Sequence, residues 1–306
     1  MTVMELIGAA ADRLSQAGVS FGHGTTNAHD EAAWLVLWQL GLSLDALDEF
    51  AARAVTATEQ ATVDALISQR IDGRQPVAYL TGEAWLQGVP FMVDARVIVP
   101  RSLIAEVIAD GTIDAWLTGH TRRVLDLCTG SGALAVLAAM AWPDIELTAS
   151  DLSADALAVA QLNLQRHGLA GRITLAQGDG LAATPGTFDL ILCNPPYVNR
   201  ESMTNLPAEY RAEPALALDG NIAGNADGMD FIRPLLQAVR NHLTDDGVLV
   251  LEVGHERAHF EAAFPQLPVV WLPTSAGDEQ VLLIEARALQ PQLLGGSAAA
   301  SSEVTA

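Results

Sequence analysis

The chain has 306 residues and a formal net charge of −21 at pH 7; half of its residues are hydrophobic and 17% are charged. This composition excludes an intrinsically disordered chain and a coiled coil. All 16 of its Lys and Arg positions are arginine, and so acidic a surface repels phosphate backbones. We therefore expect no direct sequence-specific binding of nucleic acid, whereas a basic protein partner would be attracted.

The chain carries no signal for a membrane or for export. No run of about 20 apolar residues occurs, and the amino end has no basic region of the kind that begins a signal peptide. Cys128 and Cys193 both lie in apolar runs, as buried free thiols of a reducing compartment would. These features predict a cytoplasmic protein that has no membrane partner.

Sequence patterns divide the chain into four parts. Residues 1–75 show only helical patterns, and residues 76–100 mix aromatic and β-branched residues with turn-forming glycines, which predicts a linking β-hairpin. Residues 101–287 alternate strands with helices and form the predicted catalytic domain. Residues 288–306 are rich in small and polar residues, and they are predicted to be a disordered tail.

Local signals in the first part suggest where its helices begin. Asn27 or Asp30 can cap the helix EAAWLVLWQLGL, in which Trp34 and Trp38 are predicted to be core residues. Thr58 is the expected cap of the next helix, which the glycine of IDGR is expected to end.

From residue 123 onward, short apolar strands alternate with helices, which predicts an α/β fold with a parallel, doubly wound sheet. Ligands of such sheets bind at the carboxyl ends of the strands. The ends of the first four predicted strands carry, in order, the turn Asp126–Gly132, Asp151, the pair Asp179 and Gly180, and the turn Asn194–Tyr197.

Three aspartates at successive strand ends favour a nucleoside site, although a helix cap or a surface charge is the usual explanation for any one of them. The glycines after Asp126 let a ligand approach the backbone, and a carboxylate there favours an ammonium or a sulfonium over a phosphate. Asp151 can accept hydrogen bonds from both ribose hydroxyls, and Asp179 can bond the exocyclic amine of adenine.

The run Asn194-Pro195-Pro196-Tyr197 is the most specific signal in the chain. Two prolines after a buried strand fix the backbone φ angles and remove two donors, which leaves bare carbonyl groups in the crevice. The structural alternative is a stiff turn that places Tyr197 in the core.

These motifs resemble those of class I S-adenosylmethionine-dependent methyltransferases that act on amide or amino nitrogen. Residues 1–287 are similar to the protein-glutamine methyltransferases of the HemK/PrmC/PrmB group in the runs NPPYV, LPAEYRAEPALAL, DGMDFI and VLVLEVG. The run FMVDARVIVPRSLIAEVI is most similar to the PrmB branch, which methylates a glutamine of a large-subunit ribosomal protein. Two departures are Leu103, where PrmB-like chains often have proline, and a loop ALALDGNIAGNADGMD that is longer than usual.

The resemblance implies a Rossmann-like class I methyltransferase domain, a connecting hairpin and a small N-terminal helical domain that holds the protein substrate. It implies S-adenosylmethionine as cofactor, S-adenosylhomocysteine as product and no metal. The implied catalytic residues are Asn194, Pro195, Pro196 and Tyr197. The implied cofactor-binding residues are Asp126, Cys128, Thr129, Gly130, Ser131, Gly132, Asp151, Leu152, Asp179, Gly180 and Asn194.

The implied partner is a ribosomal protein, alone or within an assembling large subunit, and three alternatives remain open. A peptide chain release factor could be the substrate instead. An adenine amino-methyltransferase of nucleic acid also needs acceptors around an amino group, but the net charge disfavours it. A non-catalytic ribosome-assembly factor is disfavoured by the intact motifs. His255 and His259 are predicted to be a solvated pair, because no third metal ligand is evident.

Overall fold

The computed structural model describes residues 1–294, so residues 295–306 of the predicted tail lie outside the described part. The helices of the described part, α1–α13 in chain order, are Val3–Gln16, Ala28–Gln39, Leu47–Phe50, Ala57–Gly73, Val77–Thr81, Ile104–Ala109, Ala133–Ala141, Ala154–Arg166, Arg200–Asn205, Ala208–Arg211, Ile232–Val239, Arg257–Ala263 and Pro291–Leu294. Its strands, β1–β9, are Glu83–Leu86, Val89–Met92, Arg123–Leu127, Glu146–Asp151, Ile173–Gln177, Phe188–Cys193, Leu243–Glu252, Val270–Thr274 and Gly277–Glu285.

The described residues form two compact units. The first comprises Met1–Arg101 together with Leu206–Ala215, and the second comprises Ser102–Asn205 and the chain from Leu216 onward. The segment Leu206–Ala215, which carries α10, therefore belongs to the first unit although it lies in sequence within the second. No pattern in the sequence indicated this insertion, and the four-part division drawn from the sequence stays a prediction.

In the first unit, α1, α2 and α4 pack together through buried apolar faces that include Leu6, Leu35 and Ile67. The predicted hairpin is confirmed, because β1 and β2 pair antiparallel. The predicted cap Asn27 is also confirmed, since its side chain accepts a hydrogen bond from the backbone N–H of Asp30 at 2.9 Å.

Two predictions for the first unit are wrong. Thr56, and not Thr58, caps α4: its hydroxyl accepts from the Glu59 backbone, and the Glu59 carboxylate accepts from the Thr56 backbone. This reciprocal pairing needs an acidic residue three positions after the cap, which decides between the two threonines. Trp38 is 39% exposed near the end of α2, whereas Trp34 is 9% exposed and belongs to the core.

Buried ion pairs attach the inserted segment to the rest of the first unit. Arg70, which is fully buried, donates to Glu31 at 2.8 Å and to Glu209 at 3.2 Å. Arg101 donates to both carboxylate oxygens of Glu213, at 2.6 and 2.8 Å. Since a charge left unpaired in the interior is costly, these pairs fix the position of Leu206–Ala215 within the unit.

The second unit contains a seven-stranded sheet in the order β5-β4-β3-β6-β7-β9-β8 among the described residues. The five strands from β5 to β7 are parallel, as predicted. The predicted parallel direction does not extend to the far edge of the sheet, where β9 runs antiparallel to both β7 and β8. The edge strand β8 was not predicted from the sequence; it has five residues, only Leu272 of them is buried, and Pro273 interrupts its apolar run.

The core of the second unit lies on the central strands, whose residues Leu125, Ile191 and Leu249 are fully buried. Helices cover both faces of a doubly wound sheet, so its middle strands are continuous apolar runs. This arrangement brings the carboxyl ends of β3, β4, β5 and β6 to one edge. Within residues 1–294, none of the helices combines the length and the apolar character needed to cross a bilayer.

Candidate active site

The polar strand ends predicted from the sequence lie side by side along one edge of the sheet. The strand order places Asp179 after β5, Asp151 at the end of β4, the glycine turn after β3 and Asn194 after β6. With about 4.8 Å between neighbouring strands, the row from β5 to β6 spans about 14 Å. A row of this length can line one extended ligand.

The glycine turn leaves β3 through a left-handed backbone. Cys128, Gly130 and Gly132 have φ angles of 61°, 56° and 78°. A Cβ at Gly132 would lie 3.2 Å from the Cβ of Ala160, so glycine there permits close packing of α7 on α8. Space around Gly130 is open, since a Cβ there would meet no atom within 4 Å. The turn therefore presents accessible backbone at the strand edge.

The other predicted residues of the turn contact the protein interior. Thr129 and Ser131 are buried, and the Thr129 backbone N–H donates to the Ser150 carbonyl oxygen at 2.9 Å. The Ser131 carbonyl oxygen accepts from Asn163 Nδ2 at 2.9 Å. These bonds join the turn to β4 and α8 and keep its shape.

Asp126 is fully buried before the turn. Its Oδ2 accepts from Thr129 Oγ1 at 2.5 Å and from the Ala135 backbone N–H at 3.0 Å, so this oxygen caps the start of α7. Its Oδ1 is buried and has no hydrogen-bond partner among the residues described. Burial raises the pKa of Asp126 to about 7, although these two hydrogen bonds oppose the shift. One carboxylate oxygen thus serves the fold, and the other is buried without a hydrogen-bond partner among the described residues.

Asp151 connects β4 to the glycine turn. Its Oδ2 accepts from the Gly130 backbone N–H at 2.9 Å, and its Oδ1 accepts from the Ser153 backbone N–H at 2.9 Å. Burial raises the pKa of Asp151, and the backbone hydrogen bonds oppose that rise. The next residue, Leu152, is 50% exposed, which places an apolar side chain beside the carboxylate.

The end of β5 is more exposed to solvent than the ends of β3 and β4. Asp179 is exposed, and Gly180 has a φ angle of 53°. The Gly178 backbone N–H donates to the Asp151 carbonyl oxygen at 3.0 Å, which fixes this end of the row next to β4.

The turn Asn194–Tyr197 follows β6 directly. Pro195 and Pro196 are buried, whereas Asn194 and Tyr197 are half-buried. In the described part of the chain, no hydrogen bond engages the Asn194 side chain. The structure therefore places a rigid turn and an unengaged carboxamide next to the glycine turn.

The loop Leu218–Asp230 packs against the exit of this turn. The Val198 backbone N–H donates to the Leu218 carbonyl at 2.9 Å, and the Val198 carbonyl accepts from Gly220 at 3.1 Å. A Cβ at Gly228 would overlap the Tyr197 carbonyl oxygen, so only glycine allows this contact. The length of this loop was visible in the sequence, whereas its position beside the turn was not predicted, although its density of glycines was a signal.

Two buried glutamates near the end of β7, neither of them predicted from the sequence, contact the turn or the residues that follow it. Tyr197 Oη donates to Glu252 Oε1 at 3.2 Å, and the Asn199 side chain donates to Glu256 Oε1 at 2.7 Å. Glu256 Oε2 lies 2.6 Å from His259 Nδ1. The described residues contain no group of three or more His, Cys, Asp or Glu side chains placed to hold a metal ion.

Comparison with known proteins supports an enzyme. The family described as "Methyltransferase small domain" matches residues 111–221. A protein of Bordetella pertussis named "Ribosomal protein uL3 glutamine methyltransferase" is 52% identical, and the match covers 92% of this chain and 94% of that protein. Proteins with the same name are 51% identical in Burkholderia pseudomallei, over 94% of this chain and 95% of that protein, and 44% identical in Neisseria meningitidis, over 96% and 95%.

The chain belongs to the family of ribosomal protein uL3 glutamine methyltransferases. Membership of this family confirms the resemblance to the PrmB branch that the sequence motifs suggested. It also confirms the predicted class I methyltransferase fold, which the second unit displays as a mixed sheet between helices. The chain is thus a methyltransferase, and not a non-catalytic factor that has only kept the fold.

Proposed function

We propose that this protein transfers a methyl group from S-adenosylmethionine to the side-chain amide nitrogen of a glutamine in the ribosomal protein uL3. The observation that carries the proposal is the unengaged Asn194 carboxamide on a rigid turn beside the glycine turn. The names of the relatives support the choice of uL3 as substrate.

The residues at the strand edge fit S-adenosylmethionine. The unpartnered Oδ1 of Asp126 would face positive charge, and the open backbone at Gly130 would admit the amino-acid part. Asp151 would accept from the ribose hydroxyls, with Leu152 against the adenine. The exposed Asp179 would reach the adenine amine. When bound, the cofactor supplies a methyl carbon made electrophilic by the attached sulfonium.

The target nitrogen is a poor nucleophile because its lone pair is delocalised into the amide carbonyl. No side chain is basic enough to remove an amide proton first, so the protein must orient the nitrogen instead. The Asn194 carboxamide oxygen and the Pro195 carbonyl would accept the two N–H bonds of the target amide. These acceptors also stabilise the positive charge that develops on nitrogen as its new bond to the methyl carbon replaces the carbon–sulfur bond. The nitrogen then loses one of its two protons to solvent, which leaves a neutral N-methyl amide.

The remaining residues of the turn restrict movement and exclude water. Pro195 and Pro196 are buried and have fixed φ angles, so the acceptor carbonyl does not reorient between turnovers. The half-buried Tyr197 ring would pack beside the flat target amide and keep water from the reacting atoms. Hydrogen bonds to the amide are stronger in such a dry site.

Charge also supports a ribosomal substrate. With a net charge of −21, the protein attracts basic proteins and repels free nucleic acid. A ribosomal protein that is free, or that lies within an assembling large subunit, would place the enzyme in the cytoplasm. The predicted absence of a catalytic metal agrees with a reaction that needs only hydrogen-bond acceptors and position.

One experiment distinguishes the possible substrates. The enzyme and isotope-labelled S-adenosylmethionine are incubated separately with unmethylated uL3, unmethylated large subunits, a release factor and DNA. Peptide mass spectrometry then locates the added methyl. We expect one methylated glutamine in uL3, whereas methylation of the release factor alone, or of adenine, would contradict the proposal.

A further inference from the structure

Glu252 is a buried carboxylate that has no role in the reaction proposed above. It is the last residue of β7 and is 4% exposed. Its Oε2 accepts from Ser102 Oγ at 2.5 Å and from the Leu103 backbone N–H at 3.0 Å. Its Oε1 accepts from Tyr197 Oη at 3.2 Å.

All of these donors are uncharged, so hydrogen bonds alone offset the burial of this carboxylate. Burial raises the pKa of Glu252, which reflects the same cost. An apolar side chain of similar volume would serve the stability of a core at least as well. A carboxylate at this position therefore points to a geometric requirement, namely acceptance of the Tyr197 hydroxyl.

The Tyr197 ring is restrained at a second point. A Cβ at Gly254 would lie 2.6 Å from Tyr197 Cε2, so the ring packs directly on the backbone two residues after Glu252. Glu256 Oε1 accepts from both the backbone and the side-chain nitrogen of Asn199, at 3.2 and 2.7 Å. The exit of β7 thus contacts the catalytic turn through the tyrosine hydroxyl, the ring and the residue two positions further on.

We propose that Glu252 is a positioning residue for methyl transfer. Through the Tyr197 hydroxyl, it holds the turn in the orientation in which Asn194 and Pro195 meet the target amide. A delocalised lone pair reacts only from a narrow range of angles, so a small rotation of the turn lowers the rate. The kinetic part of this inference rests on the proposed function, whereas the hydrogen-bond geometry does not.

The kinetic test uses Glu252→Gln, Tyr197→Phe and the double variant. Glutamine can keep the bonds to Ser102 and Leu103 through its carbonyl oxygen, but then turns its NH2 toward Tyr197. We expect each single change to lower kcat about tenfold, because about 1.4 kcal/mol is the contribution of one hydrogen bond. The KM for S-adenosylmethionine should be unchanged. Glu252→Gln can at most reverse this hydrogen bond, with the Tyr197 hydroxyl as acceptor. Because both changes abolish donation by Tyr197 to a carboxylate, the double variant should be no slower than the slower single variant.

Tyr79→Phe is the matched control. It removes a tyrosine hydroxyl that donates to the Val97 carbonyl in the first unit, far from Glu252 in sequence. We expect this variant to keep the kcat of the unmodified enzyme. Additive losses in the double variant, or an unchanged kcat in either Glu252→Gln or Tyr197→Phe, would overturn the inference.

A second measurement does not depend on activity. The chain has three tyrosines, so protein labelled with ¹³C at the tyrosine ring carbon Cζ gives three signals. The signal that disappears in Tyr197→Phe belongs to Tyr197, and we expect Glu252→Gln to shift that signal and leave the other two in place. An unmoved Tyr197 signal overturns the inference. If the enzyme methylates none of the offered glutamines but the signal shifts, the proposed function fails while the Glu252 contact stands.

Discussion

Asp126 and Asp151 lie on neighbouring parallel strands, and both accept hydrogen bonds from the backbone between the glycine turn and the first turn of α7. Asp126 Oδ2 accepts from the Ala135 backbone N–H at the start of α7, and Asp151 Oδ2 accepts from the Gly130 backbone N–H. Each carboxylate therefore has a structural bond in addition to its proposed ligand contact. Substitutions at these positions need controls that separate the two roles.

If Asp126 contacts the cofactor as proposed, we expect cofactor affinity to depend on pH. Burial raises the pKa of Asp126 to about 7, so much of the free enzyme carries a neutral Asp126 below that pH. A bound cation favours the carboxylate, so binding releases a proton and affinity increases as the pH rises. Between pH 6 and 8, we expect a gain of up to about tenfold.

This dependence is measured by calorimetry in two buffers of different ionisation enthalpy, which counts the protons released. Asp126→Asn removes the titrating carboxyl, while the ligand's own ionisation affects both proteins equally. Equal proton release by the variant and the unmodified enzyme would show that Asp126 does not contact positive charge.

Asp151→Ala is expected to weaken S-adenosylmethionine binding about 10- to 100-fold, the effect of losing one or two bonds to a charged acceptor. Asp151→Asn keeps a side-chain acceptor for Gly130 and should lose less. Asp155→Ala, an exposed change in the first turn of α8, is the control and should leave the dissociation constant as it was. An unchanged calorimetric dissociation constant for Asp151→Ala would exclude the ribose contact.

Asn194→Ala should lower kcat about 100-fold or more with little change in cofactor affinity, because it removes an acceptor that acts mainly in the transition state. Asn205→Ala is the matched control, since the Asn205 side chain is exposed and, among residues 1–294, bonds only to its own helix through the Glu201 carbonyl. Methyl transfer to uL3 measures the rate, and calorimetry measures the affinity. Near-normal turnover would remove Asn194 from the mechanism.

Arg70→Ala should destabilise the protein by about 3–5 kcal/mol, because it leaves Glu31 as a buried carboxylate without its arginine partner and, among the described residues, leaves Glu209 paired with Arg74 alone. Asp64→Ala breaks the partly exposed pair with Arg13 and should cost less than about 1 kcal/mol. Urea unfolding measures both. If the two variants lost similar amounts of unfolding free energy, the ion pairs of Arg70 would have to be solvated.

The sequence by itself determined the positions of the polar strand ends. Buried parallel strands are continuous apolar runs, so the residue at which each run stops is visible in the chain. Because the carboxyl ends of parallel strands share one edge, Asp126, Asp151 and Asn194 had to be neighbours. Two prolines after an apolar run likewise required a rigid turn.

Only the tertiary structure decided the contacts that orient these groups. Tyr197 and Glu252 are 55 residues apart, and a hydrogen bond over such a separation leaves no periodic pattern in the sequence. The membership of Leu206–Ala215 in the first unit depends on ion pairs such as Arg70 with Glu209, 139 residues apart. The antiparallel direction of β9 was equally hidden, since its apolar run is similar to that of a parallel strand. Short-range sequence patterns determine the helices and strands and where they end. Which elements and side chains contact each other depends on burial and charge pairing, and these exist only after the chain has folded.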